Sequence, residues 1–300
     1  MIYYFYHSSD LDGHCSAAIA NKYFLDNKVK DVEFIPYKYG DETNSWLEKI
    51  KENDTVYFSD VVLSPYDKMK ELCTITKNVI VIDHHKTFIE YFKENKLNLK
   101  ISYLDSNYSG CELTYKYFFE CEYNCVPTFV KLLGRYDIWD SADKVEWENK
   151  IFPFQYRIRA EETLDPNSYI WRRLFDDGCY SDIEELVQEG ESIIKYQKQN
   201  DKKACKDFSF ETEFENYRAI AMNSNRFTSN AFDSVYDPKK YDLMVCFNMY
   251  PTGKFNVSFY STTIDVSSIA KKYGGGGHAG AAGCIVSSVE LNKNILKLGW

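Results

Sequence analysis

The sequence predicts an α/β protein, with a parallel-sheet N-terminal domain joined by a helical linker to a smaller α+β domain. Three observations carry this prediction. In the first 140 residues, short apolar runs typical of buried strands alternate with helical stretches, which favours a parallel sheet covered on both faces. Residues 109–208 are mainly helical in character, and strand-like runs return after residue 209. With 300 residues, 44% of them apolar, the chain is long enough for two modest cores.

Five strands are predicted in the N-terminal domain, because each run is short, apolar and bounded by turn residues or a helical stretch. They cover residues 2–7, 32–37, 55–60, 79–83 and 101–105. The run at 79–83 is the strongest, since it begins with four β-branched residues. The alanine-rich stretch 15–26 is predicted to be a helix, and Pro65 stands near the start of another, where its missing N–H costs little.

The second half of the chain contains a long polar helix and then a strand-rich segment. The helix at 184–208 is interrupted only by Gly190, so we expect it to act as a linker. The predicted limits are 1–185 for the first domain, 186–208 for the linker helix and 209–300 for the second domain. In that last domain, strands are predicted at 217–223, 241–250, 254–262 and 284–288, with a helix at 265–273 and a glycine run at 274–277.

Composition and charge exclude several classes of function. The net charge of −9 argues against electrostatic binding of long duplex nucleic acid over an extended surface. Metals or local groups could still hold a short charged ligand. No apolar run approaches the ~18–20 residues of a membrane span, and the N-terminus lacks the basic flank of a signal peptide. The nine cysteines are odd in number and scattered, which favours a reducing cytoplasm. Most of the 25 tyrosines and 20 phenylalanines occupy predicted core positions, so they are not interpreted as a base-stacking platform.

Ionisable residues follow three of the predicted strands. The first strand ends in His7 and runs into Asp10 and Asp12, the third ends in Asp60, and the fourth ends in a run of three: Asp83, His84 and His85. Because the carboxyl ends of parallel strands share one edge of a sheet, we expect these side chains to converge. Carboxylates crowded together resist burial unless a cation compensates them, and this mixed oxygen and imidazole set suits Mn²⁺ or Mg²⁺ above Zn²⁺ or Fe. There are more ligands than one ion needs, so the sequence predicts a two-metal site.

Each of these patterns also has a plain structural interpretation. Asp10 and Asp12 fit a helix cap, Asp60 fits a turn after a strand, and Asp137, in the segment GRYDIWD, fits a solvated helix end. The glycine run at 274–277, followed by His278, fits a turn, but four glycines also provide backbone N–H groups that bind an anion. The conjunction and order of these segments, rather than any one of them, favours a site.

HSSDLDG, Asp60, VIDHH, GRYDIWD and GGGGHAGAAG, in this order, resemble the DHH phosphoesterase family with its C-terminal DHHA1 domain. The family includes RecJ exonucleases, nanoRNases, cyclic-dinucleotide phosphodiesterases and type II inorganic pyrophosphatases. The resemblance implies a DHH domain, a DHHA1 domain and an active site in the cleft between them. It implies that one metal is held by His7, Asp10 and Asp60, and the other by Asp12, Asp60, His84 and Asp137.

The same resemblance assigns the remaining site residues. His85 would lie beside the scissile phosphate, Asp83 would orient a histidine, and Ser109 would open a helix whose N–H groups face an anion. A terminal phosphate or nucleotide would be held by Gly274, Gly275, Gly276, Gly277 and His278. In the preceding strand the family often has an arginine, where this chain has Tyr260, so a stacking or hydroxyl contact replaces a charged one.

Tyr260 and the short chain resemble the nanoRNase, or oligoribonuclease, branch of the family. That branch implies a two-metal, Mn²⁺-dependent phosphodiesterase that hydrolyses oligonucleotides of two to five residues to nucleoside monophosphates. The alternatives are 3′-phosphoadenosine 5′-phosphate dephosphorylation, cyclic-dinucleotide cleavage and, from another class, a non-catalytic nucleotide or metal sensor. The expected protein is cytoplasmic, without membrane or long-duplex partners, and homodimers are common among the relatives.

Overall fold

The computed structural model describes residues 1–176, 180–225 and 228–295; the side chain of His278, a predicted phosphate ligand, lies outside this description. The chain divides into two compact units, Met1–Ile194 and Lys195–Trp300, and the division falls within one long helix. None of the described helices is both long enough and apolar enough to cross a membrane.

A five-stranded parallel sheet forms the centre of the first unit. Its strands are β1 (Ile2–His7), β2 (Val32–Tyr37), β3 (Thr55–Ser59), β4 (Asn78–Asp83) and β5 (Ile101–Leu104), in the spatial order β2-β1-β3-β4-β5. The predicted parallel sheet is confirmed, and each strand ends within one residue of its predicted end. Pro36 is tolerated within β2 because β2 lies at the edge of the sheet.

Helices cover both faces of this sheet. Along β1, Tyr4 and Tyr6 face one hydrophobic core, whereas Tyr3 and Phe5 face the other. Such alternation is what a strand buried on both faces requires. Each fully buried large apolar side chain contributes about 1.5–3 kcal/mol to the stability of the fold. The helices of this unit are α1 (Leu11–Asp26), α2 (Asn44–Lys49), α3 (Asp67–Ile75), α4 (Lys86–Asn95), α5 (Gly110–Phe119), α6 (Thr128–Asp137), α7 (Lys144–Glu146), α8 (Phe152–Arg159) and α9 (Tyr169–Asp176), with a 3₁₀ turn at Tyr123–Cys125 and a π-helical turn at Trp147–Ile151. Helices α1, α5, α6 and α8 supply residues to the core of Tyr4, and α2, α3 and α4 supply residues to the core of Phe5.

The second unit is built on a six-stranded mixed sheet. Helix α10 (Tyr180–Phe208) leads into β6 (Ser209–Phe214), β7 (Tyr217–Asn223), β8 (Leu243–Met249), β9 (Phe255–Tyr260), β10 (Gly276–His278) and β11 (Ala281–Val286), in the order β10-β11-β9-β8-β7-β6. Only β7 and β8 pair in parallel among the described strands of this sheet. Helix α11 (Val266–Lys272) packs on one face, and α12 (Ser288–Glu290) follows the last strand.

The sequence did not predict β6 or β10. The segment of β6, SFETEF, continues directly from a polar helix and carries two charges, so its alternation is weak. Two of the three residues of β10 are glycine, which has a low strand propensity. Both segments are strands because β7 and β11, respectively, supply a pairing partner.

Candidate metal centre

The predicted site residues lie at the carboxyl edge of the parallel sheet. His7 ends β1, Asp60 directly follows β3, and Asp83 ends β4. Since β2 and β3 flank β1 on opposite sides, the chain reverses its direction across the sheet between β1 and β3. Open α/β sheets bind ligands at such a switch point, outside the carboxyl ends of the strands.

All six residues predicted as metal ligands come together at this edge. They fall into overlapping groups whose potential ligand atoms lie within 4.8 Å of one another: His7, Asp10 and Asp60; Asp12, His84 and Asp137; and Asp60, His84 and His85. Asp60 belongs to the first and third of these groups, and His84 belongs to the second and third.

The first group is built around the start of α1. His7 Nδ1 lies 2.7 Å from Asp10 Oδ2 and 3.5 Å from Asp60 Oδ2. Asp10 also caps α1, because its Oδ1 accepts a hydrogen bond of 3.1 Å from the Gly13 N–H. The capping interpretation and the ligand interpretation of Asp10 are therefore compatible, since each uses a different carboxylate oxygen.

The second group surrounds one nitrogen of His84. His84 Nε2 lies 3.1 Å from Asp60 Oδ1, 3.4 Å from Asp137 Oδ2 and 3.8 Å from Asp12 Oδ2. Asp137 is the last residue of α6, so this helix directs its C-terminal side chain to the sheet edge. Asp60 thus presents Oδ2 to the first group and Oδ1 to the second.

Asp83 orients His85 rather than joining these groups. Its fully buried carboxylate Oδ1 accepts hydrogen bonds from the backbone N–H groups of His84 and His85, at 2.8 and 3.2 Å. The same oxygen lies 2.7 Å from His85 Nδ1. Because Nδ1 is engaged in this way, the tautomer leaves Nε2 as the ring atom of His85 that is available to a ligand.

The N-terminus of α5 supports the site from a distant part of the sequence. The backbone N–H groups of Gly110 and Cys111 donate to the two oxygens of buried Asp12, at 2.6 and 2.9 Å. These N–H groups have no acceptor within the helix, and the helix dipole favours a negative charge beside them. Gly110 also permits the close approach, because a Cβ atom at this position would lie 2.6 Å from Asp60 Cβ.

Ser109 is fully buried at the start of α5. Its hydroxyl accepts from the Glu112 N–H at 3.3 Å, and Glu112 Oε2 accepts from the Ser109 N–H at 3.1 Å, which forms a capping box. Sequence reasoning expected the N–H groups of this helix to face a substrate anion. In the structure, the anion that they meet is the Asp12 carboxylate.

The electrostatics of this edge favour a cation. Burial, followed by repulsion from the carboxylates of Asp12 and Asp10, raises the pKa of Asp60 well above its usual range. Burial, Asp12 and Asp60 likewise raise the pKa of Asp137. Burial lowers the pKa of His7, but the nearby carboxylates of Asp10 and Asp60 outweigh this effect and raise the pKa to about 10.

Asp60 provides the test of whether a metal fits. Its side chain is 1% exposed, and its Oδ2 has no hydrogen-bond donor among the described residues. An ionised carboxylate in this position is costly unless a cation compensates it. The oxygen and imidazole donors that surround it suit a hard or borderline divalent ion such as Mn²⁺ or Mg²⁺. The residues present therefore fit the predicted metals.

Sequence reasoning missed Tyr39, whose ring lies beside the histidines. Its ring centroid is 5.8 Å from that of His7 and 6.1 Å from that of His85, and the residue is 39% exposed. Burial, followed by the nearby Asp83 carboxylate, raises the pKa of its hydroxyl. Tyr39 lies two residues after β2, so its position just beyond a strand end is the signal in the sequence that points to it.

The predicted phosphate-binding residues belong to the second unit. Gly276, Gly277 and the backbone of His278 form the edge strand β10, paired on one side with β11, while Gly274 and Gly275 precede it. The second half of the glycine run is therefore part of an edge strand. Tyr260 ends β9 and is only 8% exposed, since it packs in the core around Met222 and Phe232.

Comparisons with known proteins agree with this architecture. A model of the DHH family, N-terminal domain, matches residues 1–133, and a model of the DHHA1 domain matches residues 223–298. Oligoribonuclease NrnB of Bacillus subtilis (strain 168) is 26% identical to this chain over 95% of this chain and 73% of that protein.

Two solved structures share the fold at low sequence identity. The DHH domain of a member of the S1p family of ribosomal proteins has a TM-score of 0.60 at 15% identity, covering 97% of this chain and 84% of that one. RecJ from Thermus thermophilus, in complex with Mn²⁺, has a TM-score of 0.50 at 15% identity, covering 97% of this chain and 50% of that one. The two matched models together span most of the sequence, and the chain belongs to the DHH family of phosphoesterases, with a DHHA1 domain in its C-terminal unit.

Proposed function

We propose that this protein is a metal-dependent phosphodiesterase that hydrolyses oligonucleotides of about two to five residues to nucleoside monophosphates. One observation carries the proposal: two groups of histidine and aspartate side chains meet at the carboxyl edge of the sheet, and the buried carboxylate of Asp60 faces His7 of one group and His84 of the other. The similarity to oligoribonuclease NrnB supports a short oligonucleotide as the substrate.

The two groups would each hold one divalent cation. His7, Asp10 and Asp60 would hold the first, and the second would be held by Asp12, Asp60, His84 and Asp137. The separate directions of the two Asp60 oxygens support a bridging role. Mn²⁺ is the proposed metal, with Mg²⁺ as the alternative, and RecJ of the same fold is known in complex with Mn²⁺. Bound there, the ions would supply an activated water and neutralise charge on the phosphate.

The side chains around the ions would position the reacting phosphate. His85, whose Nδ1 is held 2.7 Å from Asp83, would in its protonated form donate a hydrogen bond from Nε2 to a phosphate oxygen. Asp83 would fix the ring orientation, as carboxylates commonly do for site histidines. The two N–H groups of α5 would keep Asp12 aligned during turnover.

The glycine run would hold the far end of a short substrate. We propose that residues 274–277 and His278 bind a terminal phosphate or nucleotide, without a direct contact from Ser109 or Tyr260, whose side chains are buried. Gly276 and Gly277 are exposed, and β10 pairs only with β11 among the described strands, so its outer backbone groups are open to a ligand. A chain of net charge −9 gains affinity from metals and such local donors rather than from a basic surface.

The proposal is tested by incubating the full-length protein and Mn²⁺ with end-labelled RNA and DNA of two to five nucleotides. Nucleoside monophosphates should accumulate, and excess EDTA should stop the reaction. A strand of about 20 nucleotides, well beyond the reach of one local pocket, is the matched control, and it should be cleaved much more slowly. If no monophosphate appears from any short substrate, the proposed function is wrong.

A substrate panel separates the proposal from related activities. Rates on a dinucleotide, on 3′-phosphoadenosine 5′-phosphate and on a cyclic dinucleotide should rank in that order. A non-catalytic sensor would bind these ligands without turnover, whereas His84→Ala should abolish measurable turnover in an enzyme.

A further inference from the structure

Three aromatic rings stack on one another near the C-terminal end of α6, the helix that ends in the predicted ligand Asp137. The ring centroids of Tyr136, Trp139 and Trp147 are 5.5–5.9 Å apart, and the ring planes are inclined by only 2–27° to one another. Tyr136 and Trp147 are half-buried, but Trp139 is 69% exposed. We refer to these residues as the Trp139 cluster.

The backbone at Trp139 adopts a conformation that tryptophan rarely takes. Its φ is +56°, in the left-handed region. The Asp140 N–H donates to the Arg135 carbonyl and the Trp139 N–H donates to the Tyr136 carbonyl, so α6 ends in a Schellman motif with Trp139 at the position where glycine is preferred. A strained backbone that carries a large exposed aromatic side chain, where glycine would be favoured, suggests a functional role.

Arg135 ties the two tryptophan segments together. Its Nε donates to Asp140, next to Trp139, at 2.9 Å, and its Nη1 donates to Glu146, next to Trp147, at 2.5 Å. Trp147 also begins the π-helical turn at Trp147–Ile151, an irregularity frequent at functional sites. The parallel arrangement of the rings is thus supported by ion pairs that join the segments carrying the two tryptophans.

The location of the cluster suggests what it binds. Trp139 is two residues from Asp137, so the two Cα atoms are separated by at most ~7 Å. That distance is comparable to the reach of one nucleotide from its phosphate to its base. Bases of single-stranded nucleic acid stack on exposed aromatic rings independently of sequence. A stacking contact would also supply affinity that this acidic chain does not obtain from basic residues.

We propose that Trp139, supported by Trp147 and Tyr136, stacks against a nucleobase of the substrate whose phosphate lies at the metal centre. This assignment rests on the proposed function, and it adds the recognition of a base to the recognition of phosphate. It makes Trp139 a binding residue that raises affinity for any nucleotide with little selectivity among bases. Arg135 is a positioning residue, since it acts by holding the rings parallel.

The test compares Trp139→Gly with the wild type on two substrates in Mn²⁺: the dinucleotide ApA and an analogue whose two bases are replaced by hydrogen. For ApA, KM should rise by about 5- to 150-fold with little change in kcat, because the lost contact is made equally in the ground and transition states. For the abasic analogue, kcat/KM should change less than about twofold, since it offers no base to stack. Trp139→Phe should restore most of the affinity for ApA.

A matched variant controls for backbone strain. Glu120 follows the C-terminal end of α5 in the same left-handed conformation, with φ of +46°, and contributes no atom to the metal groups found among the described residues. Glu120→Gly relieves comparable strain and should leave KM for both substrates unchanged.

Several outcomes would overturn the proposal. An equal loss of kcat/KM on ApA and on the abasic analogue would indicate a disturbed metal centre. An unchanged kcat/KM on both substrates would indicate that the Trp139 ring does not contact the substrate. If Trp139→Gly changes the sedimentation coefficient of the protein without a specific loss of kcat/KM on ApA, the Trp139 ring forms contacts between copies of the chain instead.

Binding measurements separate this proposal from the proposed function. If the wild type cleaves neither substrate, the proposed function fails. The affinity for a non-hydrolysable, methylenephosphonate-linked ApA then decides the stacking proposal: Trp139→Gly should weaken it by the same factor, and an unchanged affinity would refute it.

Discussion

The two sheets of this protein present polar groups in opposite ways. In the parallel sheet of the first unit, three neighbouring strands end at one edge and bury carboxylates such as Asp60 and Asp83 there. In the mixed sheet of the second unit, the edge strand β10 exposes glycine backbone and carries no carboxylate. The first arrangement concentrates charge that needs a cation, and the second offers neutral backbone donors that suit an anion. Topology therefore separates the groups that would hold metals from those that would hold a terminal phosphate.

The comparison predicts that the largest loss of activity follows from changes at the parallel-sheet edge. Asp60→Asn removes the negative charge that faces both ligand groups, so kcat/KM with Mn²⁺ should fall by about 10³-fold or more. The measurement is monophosphate release from a dinucleotide across a range of Mn²⁺ concentrations.

Asp54, at the opposite end of the same strand, provides the matched control. Its carboxylate accepts from the Lys51 N–H and lies 3.2 Å from the N-terminal amine. Asp54→Asn should reduce thermal stability slightly and leave kcat/KM within a factor of about two, because a partly exposed ion pair contributes little. Equal losses of kcat/KM in Asp60→Asn and Asp54→Asn would show that the activity does not depend on which edge of the sheet carries the substituted carboxylate.

A smaller but still large effect is expected from Gly110→Ala. The added methyl group would lie 2.6 Å from Asp60 Cβ and 2.8 Å from Asp12 Oδ2, so α5 must move away from the site. We expect kcat/KM to fall by about 10²-fold because of misplaced ligands, with a higher Mn²⁺ requirement. Titration of activity with Mn²⁺ checks this, and an unchanged Mn²⁺ requirement would contradict the proposed support of Asp12 by α5.

Metal removal should act on the first unit alone. A cation that neutralises Asp60 and Asp137 stabilises the folded state by about 2.7 kcal/mol at a concentration of roughly 100 times Kd. Hydrogen exchange with Mn²⁺ and after EDTA treatment should therefore differ in β1, β3 and β4 and be unchanged in β8 and β9. Protection gained in both units to the same extent would argue against metal groups confined to the first sheet.

The smallest effect concerns the glycine strand. Gly277 has φ of +139°, and a Cβ atom there would lie 2.5 Å from Ala282 Cα, whereas a Cβ atom at Gly276 meets nothing within 4 Å. Gly277→Ala should lower the local stability of β10 and β11 by about 1–3 kcal/mol, and Gly276→Ala by less than about 0.5 kcal/mol. Hydrogen exchange of β11 measures both, and the prediction is falsified if the two variants behave alike.

The parts of the site that follow strands could be predicted from sequence, because the apolar runs are short and their ends are marked by charged residues. His7, Asp60 and Asp83 are of this kind. The support of Asp12 by α5 could not be predicted, since Gly110 follows Asp12 by 98 positions and tertiary packing of α5 on α1 brings them together. Strand β10 could not be predicted either, because its pairing with β11 overrides the low strand propensity of glycine.

The contact between Asp12 and α5 also has a consequence for how the first unit folds. Closing so long a loop costs conformational entropy before the hydrogen bonds to Gly110 and Cys111 are formed. A nascent chain that has made only β1, α1 and β2 therefore contains Asp12 without its partners. Competence to bind metal at this carboxylate should arise late, when the fifth helix docks. Local opening of that helix would then allow the ion to escape without unfolding the sheet.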